Sequence, residues 1–433
     1  MVDDKKIEQK NLEEKLSEII KVTKQIKNTY KNNLFDYTSK GEPSAKDKCY
    51  SKYEKKFKEE NISKDDLELF DLGESTLGIS PLVEEYLSNL NQNKIKEFIS
   101  HYPSTNADKN ENIGSNLIET ITKKYNLKKY SYTGLDGKIT TKYPISIGTG
   151  SNELLERISR IFVEPEEIIQ IHEPTFFRFK EAASHANAHV KSSDLRKEND
   201  FEWGEENLEE YLTAIEDKQT RLLWLCTPNN PFGTTIPIKD IEEITKKASE
   251  YKKIVVVDEA YQDFINEKDE TNKNNSSSIN LINKYDNLIV TRTLSKGHGL
   301  ANIRVGYAIS SPELTEVLEK TRLQYPLNTM SQYIATMALK DEKHIENIIE
   351  KTTRNRNEVV SKIKDYVKVY DSKTNIIVLQ GKNIFENLSR EKIITQQLDY
   401  ISLLEGQDYV RVTIKDEKSN SKLINAIKKI YGK

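Results

Sequence analysis

From residue 112 onward the chain repeats one theme: a short apolar run, a turn, and a stretch with helical spacing. Runs at 144–147, 168–172, 222–226, 254–257 and 288–291 read as buried strands, and 152–162, 208–215 and 238–251 read as helices between them. Such alternation commits a chain to an α/β fold with a mostly parallel sheet flanked by helices, because parallel strands need a crossover to return. It also predicts where chemistry belongs, since open parallel sheets bind ligands beyond the carboxyl ends of their strands. The 433 residues suffice for one such layer and a smaller second unit.

The residues after those runs are chemically pointed. Lys296 lies in Thr-Arg-Thr-Leu-Ser-Lys-Gly-His-Gly-Leu-Ala-Asn-Ile-Arg, directly after the run ending at Val290. An amine for a Schiff base, hydroxyls and the Arg304 guanidinium for a phosphate, and glycines for close backbone approach are what an aldehyde cofactor such as pyridoxal 5'-phosphate (PLP) needs. Asp258 ends the run at 254–257, where it could pair with a ring nitrogen or simply cap a helix. Asn230, in Thr-Pro-Asn-Asn-Pro-Phe-Gly, is held extended before Pro231; it could donate to a phenolate-type oxygen or belong to an ordinary turn. Gly148, Gly150, Ser151 and Asn152 join a strand to a helix and read as an anion site or as a tight turn and cap. Phe176 and Phe177 follow Pro174, where a ring could stack on a planar ligand or pack in the core. These signals fall at successive strand ends of one sheet, in an order that builds one pocket.

Composition narrows the partners. With 66 basic and 69 acidic residues, no global field favours nucleic acid or an anionic membrane. Two distant cysteines, Cys49 and Cys226, offer no disulfide framework and imply a reducing cytoplasm. No run approaches the roughly 18 apolar residues of a membrane span. Leu12, Leu16, Ile19, Ile26 and Tyr30 mark an amphipathic helix, and the polar stretch 37–61, broken by Gly-Glu-Pro at 41–43, reads as linker. Strand signals at 376–379 and 409–414, among helical segments, suggest a separate α+β unit. The expected layout is therefore an N-terminal helical extension and linker (1–65), the N-terminal part of a small domain with an interface arm (66–111), a large cofactor-binding domain (112–325) and a small C-terminal domain (326–433). The polar stretch 272–278 reads as a solvent loop.

On the residues quoted, the chain over 67–430 resembles the fold type I PLP enzymes of the class I/II aminotransferases, and among them the histidinol-phosphate aminotransferases. The resemblance implies Lys296 as the Schiff-base lysine that also shuttles a proton at the substrate's Cα. It implies Asp258 as partner of the pyridine nitrogen, and Tyr261 and Asn230 as donors to the ring's 3-oxygen. Gly150, Ser151, Asn152, Thr293, Ser295 and Arg304 would cradle the phosphate, Phe176 would stack on the ring, and Arg411 would grip the substrate's α-carboxylate. Tyr102 resembles the tyrosine that reaches the neighbouring subunit's cofactor, which implies an obligate homodimer. No metal is implied: His185 and His189 mimic a helical metal pair without a third ligand.

The chain also departs from that family. Where a basic residue meets the substrate's phosphate, the stretch Ile393-Ile394-Thr395-Gln396-Gln397 offers amides. The lid segment Asp71-Leu72-Gly73-Glu74-Ser75-Thr76 lacks the usual Asn-Glu-Asn-Pro, and His298 stands where an aromatic is usual. The expectation is thus transfer of an amino group between an unphosphorylated L-amino acid and a 2-oxo acid. The alternatives are a PLP-dependent decarboxylase, oxidase or cyclase of the same fold and a non-enzymatic PLP-binding protein.

Overall fold

The computed structural model describes residues 45–103, 113–133, 139–266, 276–406 and 408–432. The helical stripe expected over 12–30, the breaker at 41–43 and part of the 272–278 loop lie outside them. Strands in chain order are β1 (Glu68–Leu69), β2 (Tyr130–Thr133), β3 (Ile139–Lys142), β4 (Ile145–Gly148), β5 (Ile168–Glu173), β6 (His189–Asp194), β7 (Thr220–Cys226), β8 (Ile254–Asp258), β9 (Leu288–Thr293) and β10 (Gly306–Ser310). They continue with β11 (Lys368–Val369), β12 (Ile376–Gln380), β13 (Ile393–Ile394), β14 (Gln396–Gln397) and β15 (Tyr409–Thr413). Residues 43–433 form one compact unit.

The main sheet has the order β4-β10-β9-β8-β7-β5-β6. The pairs among β5 to β9 are parallel, while β10 runs antiparallel to both β9 and β4. Strands β5, β7, β8 and β9 are buried almost throughout, as parallel strands covered on both faces must be. One apolar core packs Leu223, Val257 and Val290 with the helix Ile238–Glu250. The other packs Trp224, Val256 and Ile289 with Ser151–Phe162 and Arg178–His185. Alternate residues of the same strands thus feed opposite faces. The smaller sheet, β11-β12-β15-β14, is antiparallel and packs against Glu342–Ile363 and Glu417–Tyr431.

Three expectations need correcting. The described part of the 37–61 linker is helical, over Ala45–Lys52 and Glu54–Glu59, because Cys49 and Phe57 bury against Ile62, Leu67 and Ile394. His185 and His189 do not share a helix: the first ends Arg178–His185 and the second opens β6, where it pairs with Glu166 at 2.7 Å. The described end of the 272–278 loop is not a solvent loop, since Ser277 and Ser278 are buried and bind the Glu259 carboxylate at 2.7 and 2.6 Å.

Candidate active site

Because β10 runs against its neighbours, its start lies at the edge where β4, β5, β7, β8 and β9 end. Ser151, Asn152, Phe176, Asn230, Asp258, Tyr261, Thr293, Ser295, Lys296 and Arg304 all line one pocket at that edge. The small sheet closes it with Gln396 from β14 and Arg411 from β15, which are register partners. Leu72, Phe177, Cys226, Ala260 and Tyr400 complete the wall.

The Lys296 amine donates to the carbonyls of Leu72 (3.3 Å) and Gly73 (3.5 Å) and lies 5.4 Å from the centre of the Tyr261 ring. Asp258, 2% exposed, accepts from Thr291 Oγ1 at 3.0 Å and from the Ala260 amide at 3.2 Å. Both bonds end on Oδ1, so Oδ2 remains for a ligand. Burial pushes this carboxyl up to about 6, against the pull of the two hydrogen bonds. The buried Tyr261 hydroxyl has no hydrogen-bond partner among the described residues. Arg411 donates to Asn230 Oδ1 at 2.8 Å and to the Asp71 carbonyl, while its buried Nε has no partner there. That bond leaves the Asn230 amide nitrogen as the donor.

Gly150 caps the helix Ser151–Phe162 at φ +81°, and a Cβ at this position would stand 2.6 Å from Arg304 Nη2. The positive φ is what favours glycine here, and its missing side chain leaves room for the guanidinium. The guanidinium therefore sits over a helix start whose first amides, those of Ser151 and Asn152, have no partner within the helix. A cation and free amides at one point make an anion cradle. Thr293 Oγ1 and Ser295 Oγ, 3.0 Å apart, add two hydroxyls beside it.

The model of the aminotransferase class I and II family matches residues 90–427. The chain belongs to the class I and II aminotransferases. The histidinol-phosphate aminotransferase of Ruminiclostridium cellulolyticum is 31% identical over 66% of this chain and 77% of its own length. That of Thermoanaerobacter pseudethanolicus is 30% identical over 81% and 90%. The solved histidinol-phosphate aminotransferase of Sinorhizobium meliloti in complex with PLP shares the fold, with a TM-score of 0.69 at 19% identity over 87% of this chain and 94% of that one. The chain is thus a PLP-dependent aminotransferase. Its residues fit the cofactor on their own terms: a phenol without a hydrogen-bond partner among the described residues, a buried acid with a spare oxygen, an amine that among those residues donates to carbonyls, and a cradle that a Cβ would fill.

Some expected residues lie elsewhere. Tyr102 is outside its own chain's pocket, 83% exposed and stacked on Tyr325 with ring centres 5.0 Å apart. Gln397 turns away and donates to Asp399 at 2.8 Å. His298 is buried and does not line the pocket, and burial lowers its imidazole to about 4. The lid segment 71–76 is tied down by Gly73, whose amide donates to Thr413 Oγ1 at 2.9 Å and whose carbonyl accepts from Asn375 at 3.3 Å. Sequence reasoning missed Thr291 and Tyr400, and named Leu72 only as part of the lid segment. Thr291 was legible in principle, being two positions before Thr293 and so on the same strand face; Tyr400 and Leu72 reach the site from chain far away in sequence.

Proposed function

We propose that this pocket transfers the amino group of an unphosphorylated L-amino acid with an uncharged side chain to a 2-oxo acid. Bound PLP supplies an aldehyde carbon that carries the amino group and a pyridine ring that withdraws electrons. Asp258 holds the ring nitrogen's proton, and Tyr261 and the Asn230 amide donate to the ring's 3-oxygen. Gly150, Ser151, Asn152, Thr293, Ser295 and Arg304 bind the phosphate, and Phe176 stacks on the ring. Arg411 takes the substrate's α-carboxylate as a two-point fork, orienting the Cα–H bond toward Lys296. Lys296 would accept the substrate's Cα proton on Nζ and hand a proton back to the group being transferred.

The observation that carries the substrate reading is a charge inventory. The charged residues lining the pocket are Lys296, Arg304, Arg411 and Asp258, and each has a task above. What remains for the substrate's side chain is Gln396, Tyr400, Phe177, Leu72, Cys226 and Ala260, none of them charged. An amide cannot balance a phosphate dianion, whereas aromatic walls suit a neutral side chain. The exposed Tyr102, which does not line its own chain's pocket, supports a homodimer in which it would serve the partner's cofactor. Free, buried Cys49 and Cys226 support a cytoplasmic setting, and no helix among the described residues is long and apolar enough to cross a membrane.

The deciding experiment mixes PLP-loaded enzyme with single amino acids and follows the cofactor's visible absorbance, its recovery with 2-oxo acids, and any carbon dioxide or peroxide. A neutral amino acid should exceed histidinol phosphate in kcat/KM by about ten- to a hundredfold, with Gln396→Arg narrowing or inverting the ratio. Preference of the parent enzyme for histidinol phosphate overturns the substrate reading, and release of carbon dioxide or peroxide in place of the oxo-acid cycle overturns transfer.

A further inference from the structure

Behind the pocket, on the opposite side of β9, lies a buried ionic cluster to which no task has yet been given. Thr291 and Thr293 face the pocket, so Arg292 between them faces away. Its side chain is 6% exposed and reaches Glu259 (1%) at 2.8 Å and Asp263 (11%) at 3.3 Å. Ser277 closes the group, accepting from Arg292 at 2.9 Å and donating to Glu259 at 2.7 Å, while the guanidinium lies 5.6 Å from the Tyr125 ring centre.

Both reactive turns are attached to this cluster. Glu259 directly follows Asp258, and its amide donates to the Thr291 carbonyl at 2.9 Å. Asp263 lies against the residue that follows Lys296, since a Cβ on Gly297 would meet the Asp263 Cβ at 2.5 Å. Well-packed apolar side chains usually stabilise as much as a buried ion cluster does, so stability alone gives it no reason to exist. Directional bonds, however, fix angles that apolar packing leaves loose.

We infer that the Arg292–Glu259–Asp263 cluster is a positioning device, holding the Asp258 turn and the Lys296 turn in one fixed geometry from the far face of the sheet. The inference rests on the roles proposed above for Asp258 and Lys296. Its test uses the full chain carrying Asp263→Asn, which keeps shape and removes the weaker arm, or Arg292→Lys, which keeps charge and loses the fork. Turnover is measured on PLP-loaded protein and amide hydrogen exchange on cofactor-free protein.

The expected result is a kcat lower by roughly ten- to a hundredfold, with KM within about twofold of the parent. Exchange should also quicken at 258–264 and at 293–300 before any cofactor is added. Variants that melt earlier but keep parental kcat and parental exchange at 293–300 overturn the inference, leaving the cluster purely structural. If Arg292→Lys does not fold, Asp263→Asn decides alone. Failure of the underlying reading looks different, because the parent itself would then not join PLP to Lys296.

Discussion

Asp258 shows what a residue proposed to hold a cofactor costs its own fold. Burial raises its carboxyl from the usual 3.8 to about 6, so the folded chain holds the proton more tightly than the unfolded chain. The stability this represents is fully present below pH 3.8 and is lost as pH rises through 6. Above that, cofactor-free protein carries a buried carboxylate at a cost of about 3 kcal/mol. A cationic ring nitrogen would remove that cost by pairing with it. Asp258→Asn keeps both accepted hydrogen bonds, because both end on one oxygen. Cofactor-free Asp258→Asn should therefore be more stable than the parent by about 3 kcal/mol at pH 8, with the gain shrinking toward pH 4. Urea unfolding without PLP at several pH values measures this; a variant less stable than the parent at pH 8 would refute the assignment of strain to the ionised acid.

Among the elements, the pair Ala45–Lys52 and Glu54–Glu59 braces the side of the pocket that Gln396 lines. Phe57 is fully buried against Ile394, the last residue of β13, and two residues later the chain reaches Gln396. Phe57→Ala should cost about 3–5 kcal/mol, read as a shift in the urea midpoint at unchanged slope. A loss below about 1 kcal/mol would mean that the helices are only laid on the surface. These helices were illegible in the sequence because lysines and glutamates outnumber their few apolar residues, and the strand they cover lies more than 300 positions downstream. Strands β5, β7, β8 and β9 were legible because covered parallel strands are continuous apolar runs. The polar edge strand β6, His189–Asp194, carries no such run, and β10 is five residues of mostly small or aromatic type. The candidate site was more legible than the fold: Lys296, Asp258 and Asn230 are pinned to strand ends by local turn chemistry, whereas Tyr400 and Leu72 arrive through long-range packing.

For the whole molecule, Tyr102 poses the remaining question, since this exposed phenol, stacked on Tyr325, does not line its own chain's pocket. A two-fold dimer would repeat the same exchange at both sites, each chain lending Tyr102 to the other. Loss of one hydroxyl bonded to a phosphate should weaken PLP retention by roughly ten- to a hundredfold in Tyr102→Phe. That result alone does not say which chain's cofactor the tyrosine serves, but two defective variants together do. Lys296→Ala should be inactive yet keeps Tyr102, and Tyr102→Phe keeps Lys296 but should lose PLP at low concentration. In a hybrid of the two, one site combines Lys296 from one chain with Tyr102 from the other. Random reassembly makes about half of the dimers hybrids, so co-refolded protein at limiting PLP should recover about a quarter of the parent's turnover. If the tyrosine acts within its own chain, no site in the mixture is complete and turnover stays at the average of the two variants.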